Sequence, residues 1–188
     1  IHGLYTNATE ENPAPTYVLL VGDVAQIPNQ TKSAGWFSSH VTDLYYFTWT
    51  AGDNLPDCYY GRFSAQNVSQ LGPQIEKTLM YEQYTMRDPR YLDDAVIVAG
   101  EDQGNNNDHG YSHANPTMHY LEDNYLTSEY GFRDVHSFYN PHASTDEETI
   151  RSLIGNGVGY ANYSAHCSYQ GWADPAFENN HISSMNNN

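Results

Sequence analysis

The chain has 188 residues, 17 of them tyrosine, and only 7 Lys and Arg against 23 Asp and Glu, for a formal net charge of −16. Such a surface has no basic footprint with which to neutralise phosphates, which argues against nucleic acid and anionic membrane as partners. Solubility alone accounts for the acidity, though it also suits a secreted or cell-surface protein and hard cations such as calcium.

The length allows one domain with a real core, or two sub-domains. No apolar run is long enough to span a bilayer, and no signal peptide is visible. The start at Ile1 and the end at Met185-Asn-Asn-Asn188 read as cuts through a larger protein. The two cysteines cannot build a disulfide framework, and no CxxC metal motif is present.

Tyr17–Val21 is a short apolar run ended by Gly22-Asp23, which predicts a buried strand. Val41 to Phe63 is Tyr-rich and broken by Gly52 and Pro56, which predicts a strand, a loop and a second strand in a hairpin-like region. Val68, Leu71, Ile75, Leu79 and Tyr81 recur at helical spacing up to about Met86, with Pro89 as the stop. Ala95–Ala99 predicts a second buried strand, ended by Gly100-Glu-Asp102, and the Asn-rich run 103–108 a loop. Met118, Leu121, Tyr125 and Leu126 form a second helical stripe, closed by Gly131. Thr145-Asp-Glu-Glu148 is a capping-box pattern before Ile150, Leu153 and Ile154, with Gly155 as the stop. Val158–Tyr163 predicts a third strand, ended by Ser164-Ala-His166. Strand and helix alternate, so the fold class is α/β, with a mainly parallel sheet flanked by helices.

In open α/β sheets ligands bind outside the carboxyl ends of the strands. Here those ends carry Asp23, Glu101 with Asp102, and His166. An acid and a histidine on two such ends can pair, the carboxylate holding one ring nitrogen while the other acts as a base. The plainer alternative is a histidine satisfied by a backbone carbonyl. Cys167 follows His166 directly, but neighbours on extended chain point to opposite faces, which argues against a direct nucleophile–base contact. Cys58 reads as a small packing residue. Asp53-Asn-Leu-Pro-Asp57 sets two acids around a tight loop and, with Asp23, suggests an all-oxygen calcium site; a simple polar turn explains it equally. His109 and His113 have the spacing of a zinc pair, with His119 nearby, but Gly110 and Asn115-Pro116 argue against the helix that spacing needs.

Six blocks in chain order resemble the gingipain family of cysteine peptidases: Leu20-Val-Gly-Asp23, Val41-Thr-Asp-Leu-Tyr-Tyr46, Gly61-Arg-Phe-Ser-Ala65, Leu79-Met-Tyr-Glu82, Val98-Ala-Gly-Glu-Asp102 and Ala161-Asn-Tyr-Ser-Ala-His166. Trp172-Ala-Asp-Pro175 continues the last and most specific block. The similarity covers nearly the whole chain and is somewhat greater to the lysine-specific branch. It implies a caspase-like fold, with residues 1–93 ending a first α/β sub-domain and 94–188 forming the first half of a second, catalytic one. It implies that His166 is the base, Asp102 its orienting acid, and the Cys167 backbone N–H part of the oxyanion hole. The family's calcium loop maps onto Asp53, the Leu55 carbonyl and Asp57, completed by Asp23, with Ala51 standing where the family has a further acid.

The family's nucleophilic cysteine lies at the end of the next strand, beyond Asn188, so the resemblance implies a Cys/His dyad shared with another part of the polypeptide or a second chain. Protein or peptide substrates follow from it. The family has glycine where this chain has Cys167. The acid that reads arginine in the arginine-specific branch falls near Pro116, and the P1 residue stays open. Two rivals stand beside this reading: a catalytically inactive domain used for binding or assembly, and a metal hydrolase built on His109, His113 and His119.

Overall fold

The computed structural model describes residues 1–34, 37–50, 52–53, 55–102 and 112–185. Two compact units divide the chain, Ile1–Met86 and Arg87–Asn188.

In the first unit, helix α1 (His2–Thr6) precedes strand β1 (Tyr17–Val21), which pairs in parallel with β4 (Tyr59–Phe63). Strands β2 (Gln30–Ala34) and β3 (Phe37–Thr42) pair antiparallel with each other. The sequence predicted that the strands near Val41 and Phe63 form a hairpin-like pair. They do not: β3 pairs with β2 and β4 with β1, and Arg62 braces β4 from its side. Its guanidinium forks onto the Asp43 carboxylate at 2.6 and 2.7 Å and donates to the carbonyls of Gly22 and Ile27. Leu20, Phe47 and Cys58 form the small core beneath. Helix α2 (Val68–Glu82) starts on an Asn67 side-chain cap and ends before Tyr84, a residue with φ of 54°, several positions short of Pro89.

The second unit is built on β5 (Asp94–Ala99), whose residues 95–99 are all fully buried. It is the middle of a parallel sheet of order β6-β5-β7, with β6 at Asp134–Phe138 and β7 at Tyr160–Ser164. Alternation along the strand sends Ala95, Ile97 and Ala99 to one face, against Met118 of α3 (Asn115–Asn124) and Leu126. Val96 and Val98 face the other way, against Ile150 of α4 (Asp146–Asn156). Both faces are thus covered, which is why residues 95–99 are all apolar. Helix α4 has no side-chain cap from Thr145, contrary to the capping-box reading, and ends at Gly157, with φ of 99°, instead of Gly155. Three short strands, β8 (Cys167–Ser168), β9 (Gly171–Ala173) and β10 (Ala176–Glu178), form an antiparallel meander, followed by α5 (Asn179–Ile182). Among the described residues no helix is long and apolar enough to cross a membrane.

Candidate active site

The site follows from the register of two buried strands. Strands β5 and β7 run parallel, with Ala99 opposite Ser164, so their carboxyl ends emerge side by side. The ladder continues one step beyond them, the Gly100 N–H donating to the Ser164 carbonyl at 3.1 Å. Asp102 lies just past one end and His166 just past the other. Oδ2 of Asp102 is 2.8 Å from Nδ1 of His166. The acid is sheltered, at 15% side-chain exposure, and the ring is open, at 60%. A carboxylate only accepts, so Nδ1–H is the donor of this contact, and in a neutral ring the lone pair then lies on Nε2. The acid's loop is itself held: the Asp102 N–H donates to the Ser112 carbonyl at 2.7 Å, and Glu101 bridges His113 antiparallel.

Strand β8 continues directly from His166 and pairs with β9, Cys167 opposite Trp172 and Ser168 opposite Gly171. The Ala173 N–H donates to the His166 carbonyl at 3.3 Å. In an antiparallel ladder hydrogen-bonded and non-hydrogen-bonded pairs alternate. His166 and Ala173 are of the first kind, so Cys167 and Trp172 are of the second, and the Cys167 N–H points away from β9. Tyr84 alone among the described non-glycine residues has a positive φ, so Cys167 sits in ordinary extended backbone, unstrained where the resemblance has glycine. Its thiol is exposed. Cys58, by contrast, is buried among apolar neighbours, which pushes its thiol pKa up and leaves it a packing residue.

The other predicted ligands are engaged elsewhere. The Asp23 carboxylate accepts from the Gln66 amide, the Val24 N–H and the Ser64 hydroxyl, which together hold its pKa below the usual range. Asp57 accepts from the Thr50 hydroxyl and the N–H groups of Trp49 and Thr50, with the same effect. Asp53 caps its own turn through the Leu55 N–H. Ala51 lies outside the described residues. Among those described, no three His, Cys, Asp or Glu side chains converge as a metal cage. His109 also lies outside the described residues. Nδ1 of His113 accepts the Asn115 N–H, and the His119 ring stacks on Tyr139 at 4.0 Å, so these two serve the helix end and the sheet surface.

Two further residues at this site had no role in the sequence reading, although Trp172-Ala-Asp-Pro175 was part of its most specific block. The Tyr163 hydroxyl donates to the His166 carbonyl, and the Asp174 carboxylate accepts the Glu101 N–H.

The parallel α/β sheet with an acid-held histidine at its carboxyl edge suits a caspase-like fold. The model of Peptidase family C25 matches residues 1–188, and the chain belongs to this family of cysteine peptidases. Lys-gingipain W83 of Porphyromonas gingivalis is 34% identical over 188 residues, which is all of this chain and 10% of the relative. Gingipain R2 of Porphyromonas gingivalis (strain ATCC BAA-308 / W83) is 30% identical over 175 residues, 92% of this chain and 22% of the relative. A solved complex of Porphyromonas gingivalis RgpB pro- and mature domains superposes with a TM-score of 0.73 at 26% identity, covering 95% of this chain and 40% of that one. The chain therefore spans about a tenth of the length of its Lys-gingipain relatives.

Proposed function

We propose that this chain supplies the base half of a gingipain-like cysteine endopeptidase, secreted or at the cell surface, acting on protein or peptide substrates. The observation that carries the reading is the contact of 2.8 Å between Asp102 and His166 at the carboxyl edge of the buried sheet. In this reading Asp102 holds the Nδ1–H tautomer, and Nε2 of His166 takes the proton of a cysteine thiol outside these 188 residues. The thiolate attacks the peptide carbonyl, forming a carbon–sulfur bond. The outward Cys167 N–H helps hold the oxyanion, and His166 returns the proton to the leaving amine as the C–N bond breaks. Water then hydrolyses the acyl-enzyme with His166 again as base. Exposure of the His166 ring supports this, because a base must be reachable by both nucleophile and substrate.

Calcium belongs to the proposal through the resemblance alone. Asp23, Asp53, the Leu55 carbonyl and Asp57 are the ligands it names, and a cation would reach them by displacing the Gln66, Ser64 and Thr50 donors. No chemical step depends on it. The proposal as a whole is tested by comparing peptide hydrolysis and active-site thiol labelling in the active polypeptide or assembly with and without His166→Ala. A loss of about a thousandfold or more is expected in kcat.

A further inference from the structure

The turn Trp172–Pro175 reaches both halves of the Asp–His pair. On the base side, the Tyr163 hydroxyl donates to the His166 carbonyl at 2.7 Å and accepts the N–H groups of Ala173 and Asp174 at 3.2 and 3.4 Å. A phenol has one donor and two acceptor positions, and all three are used. The Tyr163 ring lies flat on Trp172, with centroids 4.4 Å apart and planes 4° from parallel. On the acid side, Oδ2 of Asp174 accepts the Glu101 N–H at 2.9 Å, one residue before Asp102. The Asp174 carbonyl also packs against Gly100 so closely that a Cβ there would lie 2.1 Å from it. One turn therefore meets the backbone of both strand ends, through Ala173 at His166 and through Asp174 at Gly100 and Glu101.

We propose that Tyr163 and Asp174 are positioning residues, forming a splint that sets the strand ends bearing Asp102 and His166 at hydrogen-bonding distance. The inference rests on the reading of His166 as base and Asp102 as its orienter. Asp102 and His166 belong to separate strand ends, and His166 is mostly exposed, so the sheet ladder alone leaves its ring orientation loosely determined. The splint fixes the His166 backbone from one side and the Glu101–Asp102 backbone from the other. Burial raises the Tyr163 pKa, which keeps the phenol protonated and donating. Neither residue touches a reacting atom.

The test is nitrogen-15 NMR of the His166 ring in the whole chain, at a pH where the ring is neutral, since the two ring-nitrogen shifts report the tautomer ratio. In the wild type the Nδ1–H form should dominate, and Asp102→Asn should abolish that dominance. Tyr163→Phe keeps the ring stack and removes one oxygen; it should lower the Nδ1–H to Nε2–H ratio by about tenfold. Asp174→Ala should do the same, while Asp174→Asn, whose amide oxygen still accepts the Glu101 N–H, should restore the wild-type ratio. A merely structural role would lower the unfolding midpoint and leave the ratio unchanged. Unchanged ratios in both Tyr163→Phe and Asp174→Ala overturn the splint and leave the pair standing. If the wild type shows no Asp102-dependent Nδ1–H preference, the pair itself is wrong and the splint falls with it. Should Tyr163→Phe not fold, the two Asp174 variants decide.

Discussion

Asp102 and His166 differ most in what surrounds them. The sheltered acid keeps its hydrogen bond out of competition with water, and the open ring can meet a substrate. What brings them together is close backbone packing, and Gly100 is where that packing is tightest. A methyl group there meets the Asp174 carbonyl at 2.1 Å and Ala165 Cβ at 2.7 Å, both far inside contact distance. Gly100→Ala must therefore push the turn off the end of β5. Urea unfolding should show a loss of about 1–3 kcal/mol, the usual cost of overpacking. Unchanged stability would mean the turn is not seated there as described. Cys167 illustrates the opposite case. Its side chain is exposed, and the proposed oxyanion role would use only its N–H, so glycine and cysteine are equivalent for that purpose.

At the scale of elements, the most legible part of the sequence was β5. Five consecutive apolar residues between Asp94 and Gly100 fit a strand covered on both faces, and the Gly-Glu-Asp that follows marks its carboxyl end. The strand at β6 escaped because Asp-Val-His-Ser-Phe lies at a sheet edge, where one side needs no apolar neighbours and the pattern dissolves. The expected hairpin failed because strand pairing is set by distant partners. β4 takes β1 and β3 takes β2, and Arg62 braces β4 through contacts with residues 19 to 40 positions away, none of which a local pattern reveals. That His166 and an acid end predicted strands was legible locally, while the choice of Asp102 over Asp23 and Glu101 came from the resemblance; the Tyr163 hydroxyl gave no signal, as tyrosine on a strand signals packing first. The Arg62–Asp43 pair gives a test at this scale. Arg62 holds the Asp43 carboxyl below its ordinary value of 3.8. A carboxyl lowered on folding adds stability above its unfolded value, and that stability is lost as pH falls through the folded one. Arg62→Met should thus cost about 2–4 kcal/mol at neutral pH, as for a half-buried bidentate pair broken on one side. The gap from wild type should narrow as pH falls below about 4. Urea unfolding at both pH values measures it; an equal gap at both would remove the ion pair as the cause.

For the whole molecule the dominant fact is a net charge of −16. Any added salt screens that self-repulsion, so calcium must be judged against sodium at matched ionic strength. If the proposed loop binds it, calcium should raise the thermal midpoint beyond sodium, and Asp57→Asn should erase the difference. Equal midpoints would remove calcium from the account.

The membership of Peptidase family C25 covers all 188 residues, yet the catalytic proposal needs a thiol beyond them. The measurement that bears most directly on it uses the polypeptide or assembly that hydrolyses peptides, treated with a peptidyl electrophile specific for active-site thiols. The modified cysteine is then located by peptide mass mapping in wild type and His166→Ala. The account predicts one labelled cysteine outside this chain, with labelling and hydrolysis both lost in His166→Ala. Labelling of Cys167 or Cys58, or hydrolysis that survives the loss of His166, would contradict it.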